Sequence, residues 1–314
     1  MAADNALRLK DRAAERVAYP LDSWDGLAKT GAVTAMSPTL RQRQLGTRLR
    51  EVRTGLGLTI EEVGERLPCP AEKISQIESG QHRPSLRDVQ GLCTLYGVSE
   101  PEKAELMELA RMAGEQGWWS QYRDLKLDPY IGLEQGASSI TVFSMYYVPA
   151  LLQTQPYARE IIRTIARKMD PGVHEERVEA RLRRQQLLEQ DSRPRYLAIL
   201  DEAVLRRRVG GPAVMAAQLD KILKLERDGK AAVQVIPFAV GAHAAQDSNF
   251  VFLEFQESSP VVFVELLSTN LYQERDGDLD RYREAVEYLR DEALNPQDSV
   301  ALITEVHEAY AGSE

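Results

Sequence analysis

Between Leu40 and about Ala113 apolar residues recur at three- and four-residue spacing. Gly55 and Gly57, Pro68 and Pro70, Gly80 to Pro84, and Gly97 to Pro101 interrupt them. This pattern predicts five helices of two to four turns each. Within it, the stretch from Leu58 to Leu86 reads LTIEEVGERLPCPAEKISQIESGQHRPSL. Thr59 with Glu62 three residues later is a capping box, Val63 and Leu67 form one apolar stripe, and Ile74 and Ile77 form the next. After Gly114 the pattern changes. GWWSQYRDLKLDPYIGLEQGASS is aromatic and loop-rich, QPYAREIIRTIARK and EERVEARLRRQQLLEQ read as helices, and RYLAILDEAV, AAVQVIPF, NFVFLEF and PVVFVELL read as strands of one sheet. Helices are expected over Pro212 to Glu226, Asp278 to Ala293 and Pro296 to Tyr310.

The expected fold class is therefore α+β, with a helical domain at 40–113 and a larger mixed helix/sheet domain at 114–314. Residues 1–39 combine a charged, alanine-rich piece with turn formers and read as a flexible extension, with a helical turn cluster near Ala6 to Val17. A chain of 314 residues suits about two domains, and 43% apolar with 28% charged residues is enough to bury a core. No run approaches the roughly 18 apolar residues of a membrane span, so a cytoplasmic protein without a membrane partner is expected. Cys69 and Cys93 are too few for a disulfide framework and lie in no zinc-ligand spacing, so they read as buried thiols and no metal or cofactor is expected.

A net charge of -9 argues against nucleic acid until it is divided along the chain. Leu40 to Gly97 holds nine Lys/Arg and seven Asp/Glu, a balance of +2, so the remainder carries -11. An acidic remainder lowers non-specific DNA affinity without preventing a local basic face from touching phosphates.

Placing Ile74 and Ile77 inward leaves Ala71, Glu72, Lys73 and Gln76 on the outer face of the second helix. Short polar side chains there suit either a solvated helix or one that offers hydrogen bonds to base edges in the major groove. The register RQRQLGTRLREVRTGLGLT, IEEVGERL, AEKISQIESGQHRPSLRDVQGLCTLYGV resembles the cro/repressor (XRE-family) helix-turn-helix domain across all five helices, a lambda-repressor-like fold. The resemblance implies that Ala71 to Ser79 is the recognition helix. Ala71, Glu72, Ser75 and Gln76 then face base edges, while Lys73, Ser79, Gln81 and Arg83 lie near phosphates. It also implies that Arg53 pairs with Glu78 inside the domain. Two positions depart from the family: Ile60 stands where a DNA-contacting glutamine is usual, and Pro68-Cys69-Pro70 replaces the usual Ser or Thr cap.

The second domain resembles the antitoxin-like domain of Scr-type and WhiJ-like bacterial regulators from about Gly117 to Ile303. GWWSQY, YIGLEQGASSI, VPALLQTQPYAREII, RLRRQQLL, LDEAVLRRRVGGP and VQVIPFAVGAHAAQDSNFVFLEF carry that likeness. It implies a transcriptional regulator with an effector or a small partner protein encoded nearby; binding to operator DNA as a homodimer is expected because one such module contacts few base pairs. It also makes Met36 an alternative start. Rival readings are a toxin-antitoxin-type interaction module that does not read DNA, and an enzyme with a vestigial helix-turn-helix. For the latter, Asp201, Glu202, His243, Asp247, Glu254 and Glu265 are the available acid/base groups. No nucleophile, phosphate-loop or metal motif joins them, and His82, His174, His243 and His307 are scattered, so no catalytic residue is assigned. The segment FAVGAHAAQDSNF reads as a tight loop or a pocket lining at the strand ends. Trp118 and Trp119 read as packing at the domain junction. Arg181, Arg183 and Arg184 read as surface charges paired with Glu179 and Glu189, and Arg206 to Arg208 as a denser patch that either binds anions or docks an acidic partner.

Overall fold

The computed structural model describes residues 37–67, 69–122, 128–168 and 170–313. The expected turn cluster near Ala6 and the alternative start at Met36 lie outside the described residues.

The helical region comprises α1 (Pro38–Gly55), α2 (Ile60–Arg66), α3 (Ala71–Glu78), α4 (Leu86–Tyr96) and α5 (Glu100–Ala113). Local chemistry sets the starts. Thr59 and Glu62 form the expected capping box of α2, and Ser85 with Asp88 forms another on α4. Ser37 caps α1 by accepting from the Leu40 N–H, with Pro38 in the first turn. Residues 37–39 therefore belong to a helix start and not to an extension, because Ser followed by Pro is itself a start signal. Leu45, Leu49, Val63, Ile74, Ile77, Val89, Leu92 and Leu106 form the core of this region.

The buried Arg53–Glu78 pair crosses it. Arg53 Nε donates to Glu78 Oε1 at 2.7 Å and Nη2 to Oε2 at 2.8 Å, while Nη1 reaches the Leu58 carbonyl at 2.5 Å. The bond to Glu78 holds the guanidinium above its ordinary range, against the opposing effect of burial. This is the pairing that the family resemblance implied, and it ties the end of α3 to α1.

The second region is built on a six-stranded sheet in the order β3-β2-β1-β4-β5-β6. The strands are β1 (Ser139–Ser144), β2 (Arg195–Asp201), β3 (Ala232–Ile236), β4 (Phe250–Glu254), β5 (Val261–Glu265) and β6 (Asn270–Gln273). β1, β2 and β3 run parallel, and β4, β5 and β6 continue antiparallel. The helices are α6 (Asp128–Gly136), α7 (Gln155–Ile165), α8 (Pro171–Gln185), α9 (Glu202–Arg206), α10 (Pro212–Arg227), α11 (Asp276–Glu292) and α12 (Pro296–Ala311).

Strand alternation divides the apolar residues between two faces. Ile140, Val142, Ala198, Val235 and Phe263 pack with Ile131, Leu133, Met215, Leu219 and Ile303 of α6, α10 and α12. On the other face Phe143, Ile199, Phe250 and Val262 pack with Leu279 and Leu289 of α11. Sequence pattern located β2 to β5 and most helices of the second half, but not α6, α9, β1 or β6; the end of RYLAILDEAV, expected as strand, turns into α9 where Asp201 caps it. α6 carries two glycines and a proline, which dilute its periodicity, and β6 is a four-residue strand with mixed exposure.

The two regions meet through α1 and α6. Leu40 belongs to the sheet-side core with Trp119, Tyr130 and Ile131. Ser37 Oγ donates to the Gly132 carbonyl, and a Cβ on Gly132 would lie 2.0 Å from Thr39 Oγ1, so the contact requires glycine. Arg43 pairs with Glu274 just beyond β6, Arg41 with Glu115 at 3.0 Å, and Gln44 Nε2 donates to Glu257 at 3.4 Å. Trp118 and Trp119 stand edge to face at 5.9 Å, with Trp119 in the same core, which agrees with a packing role at this junction.

Glu78→Ala is expected to destabilise the helical region by roughly 3–5 kcal/mol, because it leaves the Arg53 charge buried and unpaired. Replacing the pair by Arg53→Met with Glu78→Leu should recover most of that loss. Denaturant titration followed by circular dichroism measures both, and a loss below about 1 kcal/mol, the value of an exposed pair, would contradict the expectation.

Candidate nucleic-acid interface

α2 and α3 are joined by a short turn. Leu67 N–H closes the end of α2 on the Val63 carbonyl at 3.0 Å, Cys69 N–H turns back to the Leu67 carbonyl at 2.6 Å, and Pro70 sets the first turn of α3 without a side-chain cap. The expected absence of a capping oxygen thus leaves the helix start at Ala71. A Cβ on Gly64 would lie 3.2 Å from Ala71 N and from Cys69 O, so glycine lets α2 approach the start of α3 closely.

Ile74 and Ile77 are buried and Glu78 is held by Arg53, which fixes the rotation of α3. The opposite face carries Glu72 and Ser75, both exposed, and Ala71, Lys73 and Gln76, each half-buried. Gln76 Nε2 donates to Glu72 Oε1 at 3.3 Å, one turn away. The Gln76 carbonyl accepts from Gln81 N–H at 2.8 Å, His82 N–H at 2.9 Å and Ser79 Oγ at 3.2 Å, closing the chain into a turn after α3. Gln81 and Arg83 are exposed on that turn. The residues assigned to DNA are thereby gathered on one helix face and the turn that follows it.

Lys73 is in a different position from the other assigned residues. Its Nζ donates to Asp88 Oδ1 at 2.8 Å, while Asp88 Oδ2 caps α4 through the Ser85 N–H at 2.9 Å and Ser85 Oγ at 2.8 Å. Burial works to raise the Asp88 carboxyl, but the bonds from Lys73 and Ser85 outweigh it and hold the group below its usual range. The bond to Asp88 likewise raises Lys73. Lys73 therefore joins α3 to the start of α4 in addition to any outward role.

Of the nine basic residues between Leu40 and Gly97, Arg41, Arg43, Arg48, Arg53 and Lys73 are engaged in ion pairs. Arg50, Arg66, Arg83 and Arg87 are exposed and, among the described residues, form no salt bridge. Arg87, in the first turn of α4 beside the Lys73–Asp88 pair, was not picked out from sequence. Its signal was its place two residues after the capping Ser85.

In the second region the structure corrects the surface reading of the arginines. Arg184 is buried and bidentate to Glu134, with Nε to Oε2 at 2.8 Å and Nη2 to Oε1 at 2.7 Å. Arg183 lies over the Trp118 ring at 4.6 Å, and Arg181 faces inward to Gln153 at 2.9 Å. One face of α8 packs toward the sheet, and charged residues on a helix do not announce such a partner. Arg206 bonds Glu202 at 2.5 Å, which satisfies part of the patch at 206–208. Cys93 is buried as expected, but Cys69 is only half-buried.

The expected loop after β3 begins with a short 3-10 turn and ends with Asn249 and Phe250 against a cavity between α6, α8 and the sheet. Within that loop His243 Nε2 lies 3.8 Å from Asp201 Oδ2, and its ring stands edge-on to Phe143. Asp201 caps α9 through the Ala203 N–H at 2.7 Å, and Glu202 accepts from the Phe238 N–H at 2.8 Å. Among the described residues, no helix is long and apolar enough to cross a membrane.

Residues 44–106 match the model of a helix-turn-helix domain, so the chain carries a domain of the class that binds DNA. Residues 127–305, more than half of the chain, match a domain of unknown function (DUF5753), and the chain belongs to that family. No curated protein and no solved structure matches it.

Asp88 has a lowered pKa in the folded protein, so its contribution to stability is complete above about pH 4, its ordinary value, and is lost as the pH falls through the lower folded value. Asp88→Asn should be less stable than the parent at neutral pH, and the difference should shrink on acidification. Thermal melts across pH 2–7 would reveal a pH-independent difference if the linkage were absent.

Proposed function

We propose that the chain is a sequence-specific transcriptional regulator, with a cro/repressor-type, lambda-repressor-like domain that reads operator DNA in the cytoplasm. The observation that carries this reading is the outer face of α3. Glu72, Ser75 and Gln76 are offered outward from a helix whose rotation is fixed by Ile74, Ile77 and the Arg53–Glu78 pair. Arg83, on the turn after α3, and Arg87, in the first turn of α4, are exposed without a salt bridge among the described residues and are available to phosphates. Gln76 pairs with adenine, Glu72 accepts from cytosine N4, and the arginines position the helix by phosphate contacts. Ala71, Ser75, Ser79, Gln81 and Lys73 complete the contact surface.

One module spans few base pairs, so the protein acts as a homodimer with two recognition helices one DNA turn apart. The sheet region serves as sensor or dock, in the manner of Scr-type and WhiJ-like regulators, for an effector or a small partner protein, and has no catalytic role. The Arg43–Glu274 and α1–α6 contacts support this division, because they join the DNA-reading helices to the sheet directly.

Fluorescence anisotropy with the chain's own upstream DNA and with random duplex, across a salt series, tests the proposal. Gln76→Ala should lose about 1–3 kcal/mol on the upstream site and little on random DNA. Arg83→Ala and Arg87→Ala should weaken both duplexes alike and reduce the salt slope by about one unit each. Equal affinity of the parent for both duplexes at every salt concentration would refute sequence-specific reading.

A further inference from the structure

The cavity between α6, α8 and the sheet has a volume of about 100 Å³. One water needs only about 10–15 Å³, so the space suits something larger. Tyr130 and Glu134 of α6 form one wall, Arg181 and Arg184 of α8 a second, and Tyr196 and Phe263 of the sheet a third. Tyr147 and Leu151, on the segment after β1, close one side.

Two polar groups on these walls lack what they need. The Tyr196 hydroxyl is buried, with the residue 4% exposed, and has no hydrogen-bond partner. Buried polar groups are nearly always satisfied, so an orphan at a cavity points to an absent molecule. Arg181 carries the second need. Its neighbour Arg184 is neutralised by Glu134, which also accepts from the Tyr130 hydroxyl at 2.9 Å. Arg181 itself bonds only the neutral Gln153 amide oxygen at 2.9 Å and, among the described residues, forms no salt bridge. Burial, and then the Arg184 charge, bring Arg181 down to about 10, although Tyr147 and Glu265 act in the other direction. A guanidinium held this way gains most from an anion.

The rest of the lining mixes apolar surface with Ser144, Asn249 and the Glu265 carboxylate. Val142 and Leu151 line the cavity, and the Tyr130 and Phe263 rings lie tilted against each other at 4.2 Å. We propose that this cavity takes a small flat organic anion, of the hydroxylated aromatic carboxylate class, with its carboxylate on Arg181 and its far hydroxyl on Tyr196.

Occupation of the cavity reaches the DNA-reading helices through α6. Tyr130 and Glu134 face the cavity, while Gly132, half a turn round, bears on Ser37 and Thr39 at the start of α1. A ligand that holds Tyr130 and Glu134 in one position therefore biases the seat of α1, which makes the cavity an effector site. The effector role rests on the regulator reading above; the binding site does not.

Isothermal calorimetry on the full chain without DNA tests the site, with 4-hydroxybenzoate, benzoate, tyramine and inorganic phosphate as probes. The expected order is 4-hydroxybenzoate tightest and benzoate weaker by roughly two- to tenfold, the worth of one hydrogen bond. The cation tyramine and the ringless phosphate should not saturate. Arg181→Gln should weaken 4-hydroxybenzoate about tenfold or more, and Tyr196→Phe should abolish its advantage over benzoate. Tyr196→Phe should melt at or above the parent temperature without ligand, since it removes an unsatisfied group, where a merely structural role would lower it; Arg181→Gln gives up one hydrogen bond to Gln153 and should melt close to the parent. The proposal fails if neither carboxylate saturates by about 10 mM, where millimolar affinity would show. It fails equally if tyramine or phosphate binds as well as the carboxylates, or if both variants bind like the parent. Repeating the DNA titration with 4-hydroxybenzoate separates the two readings. Ligand binding by a chain that reads no DNA would overturn the regulator alone, and DNA reading by a chain that binds no probe would overturn this site alone.

Discussion

Moving a carboxylate and a guanidinium out of water costs several kcal/mol per ion, and only close, fully bonded geometry offsets it. The Glu134–Arg184 pair meets that condition with two bonds of 2.8 and 2.7 Å and a third to Glu134 from Tyr130. Its consequence is positional. With Glu134 committed to α8, the rotation of α6 about its own axis is set, and so is the side that turns its glycine toward α1. The Arg53–Glu78 pair acts in the same way in the helical region, where it leaves α3 one orientation. Each region thus carries one buried ion pair whose partners come from different helices, and each pair orients the helix on which the proposed function depends.

Much of the fold was legible in the sequence wherever one periodic signal dominated. α2 to α5 follow from stripes such as Ile74 and Ile77 and from caps such as Thr59, and β2 to β5 from short β-branched and aromatic runs. α6 was hidden because Gly132 and Gly136 replace apolar side chains on the face that meets α1, so close packing there leaves no hydrophobic mark. Leu40 shows a related limit. It lies on a helix of the first region yet belongs to the core of the second, and spacing along one helix does not say which core a residue joins.

The candidate DNA face was legible because it needs only the rotation of one short helix. The cavity was not. Arg181 and Arg184 sit in a run of charges, RLRRQQ, whose ordinary place is the surface, and Tyr196 lies in an otherwise plain strand. What makes them notable is a partner fifty residues away for Arg184 and the lack of one for Tyr196, and neither is written in local pattern. Lys73 illustrates the converse, since its position on α3 was clear but its bond to Asp88 was not.

The two edges of the sheet are finished in different ways. Outside β3 the following chain completes the ladder itself, as Leu294 N–H bonds the Val235 carbonyl at 2.8 Å and Val235 N–H bonds Ser299 Oγ at 3.1 Å. Those two bonds occupy the outer N–H and carbonyl of Val235, so an added strand finds no partner there. β6, at the far side, is short and exposes Leu271, and its flank is held by the Arg43–Glu274 pair from α1. The first helix of the helix-turn-helix region thus sets a charge beside an open strand edge. An unpaired edge is a template for strand pairing between molecules, and charged side chains such as Arg43 and Glu274 beside β6 work against that pairing.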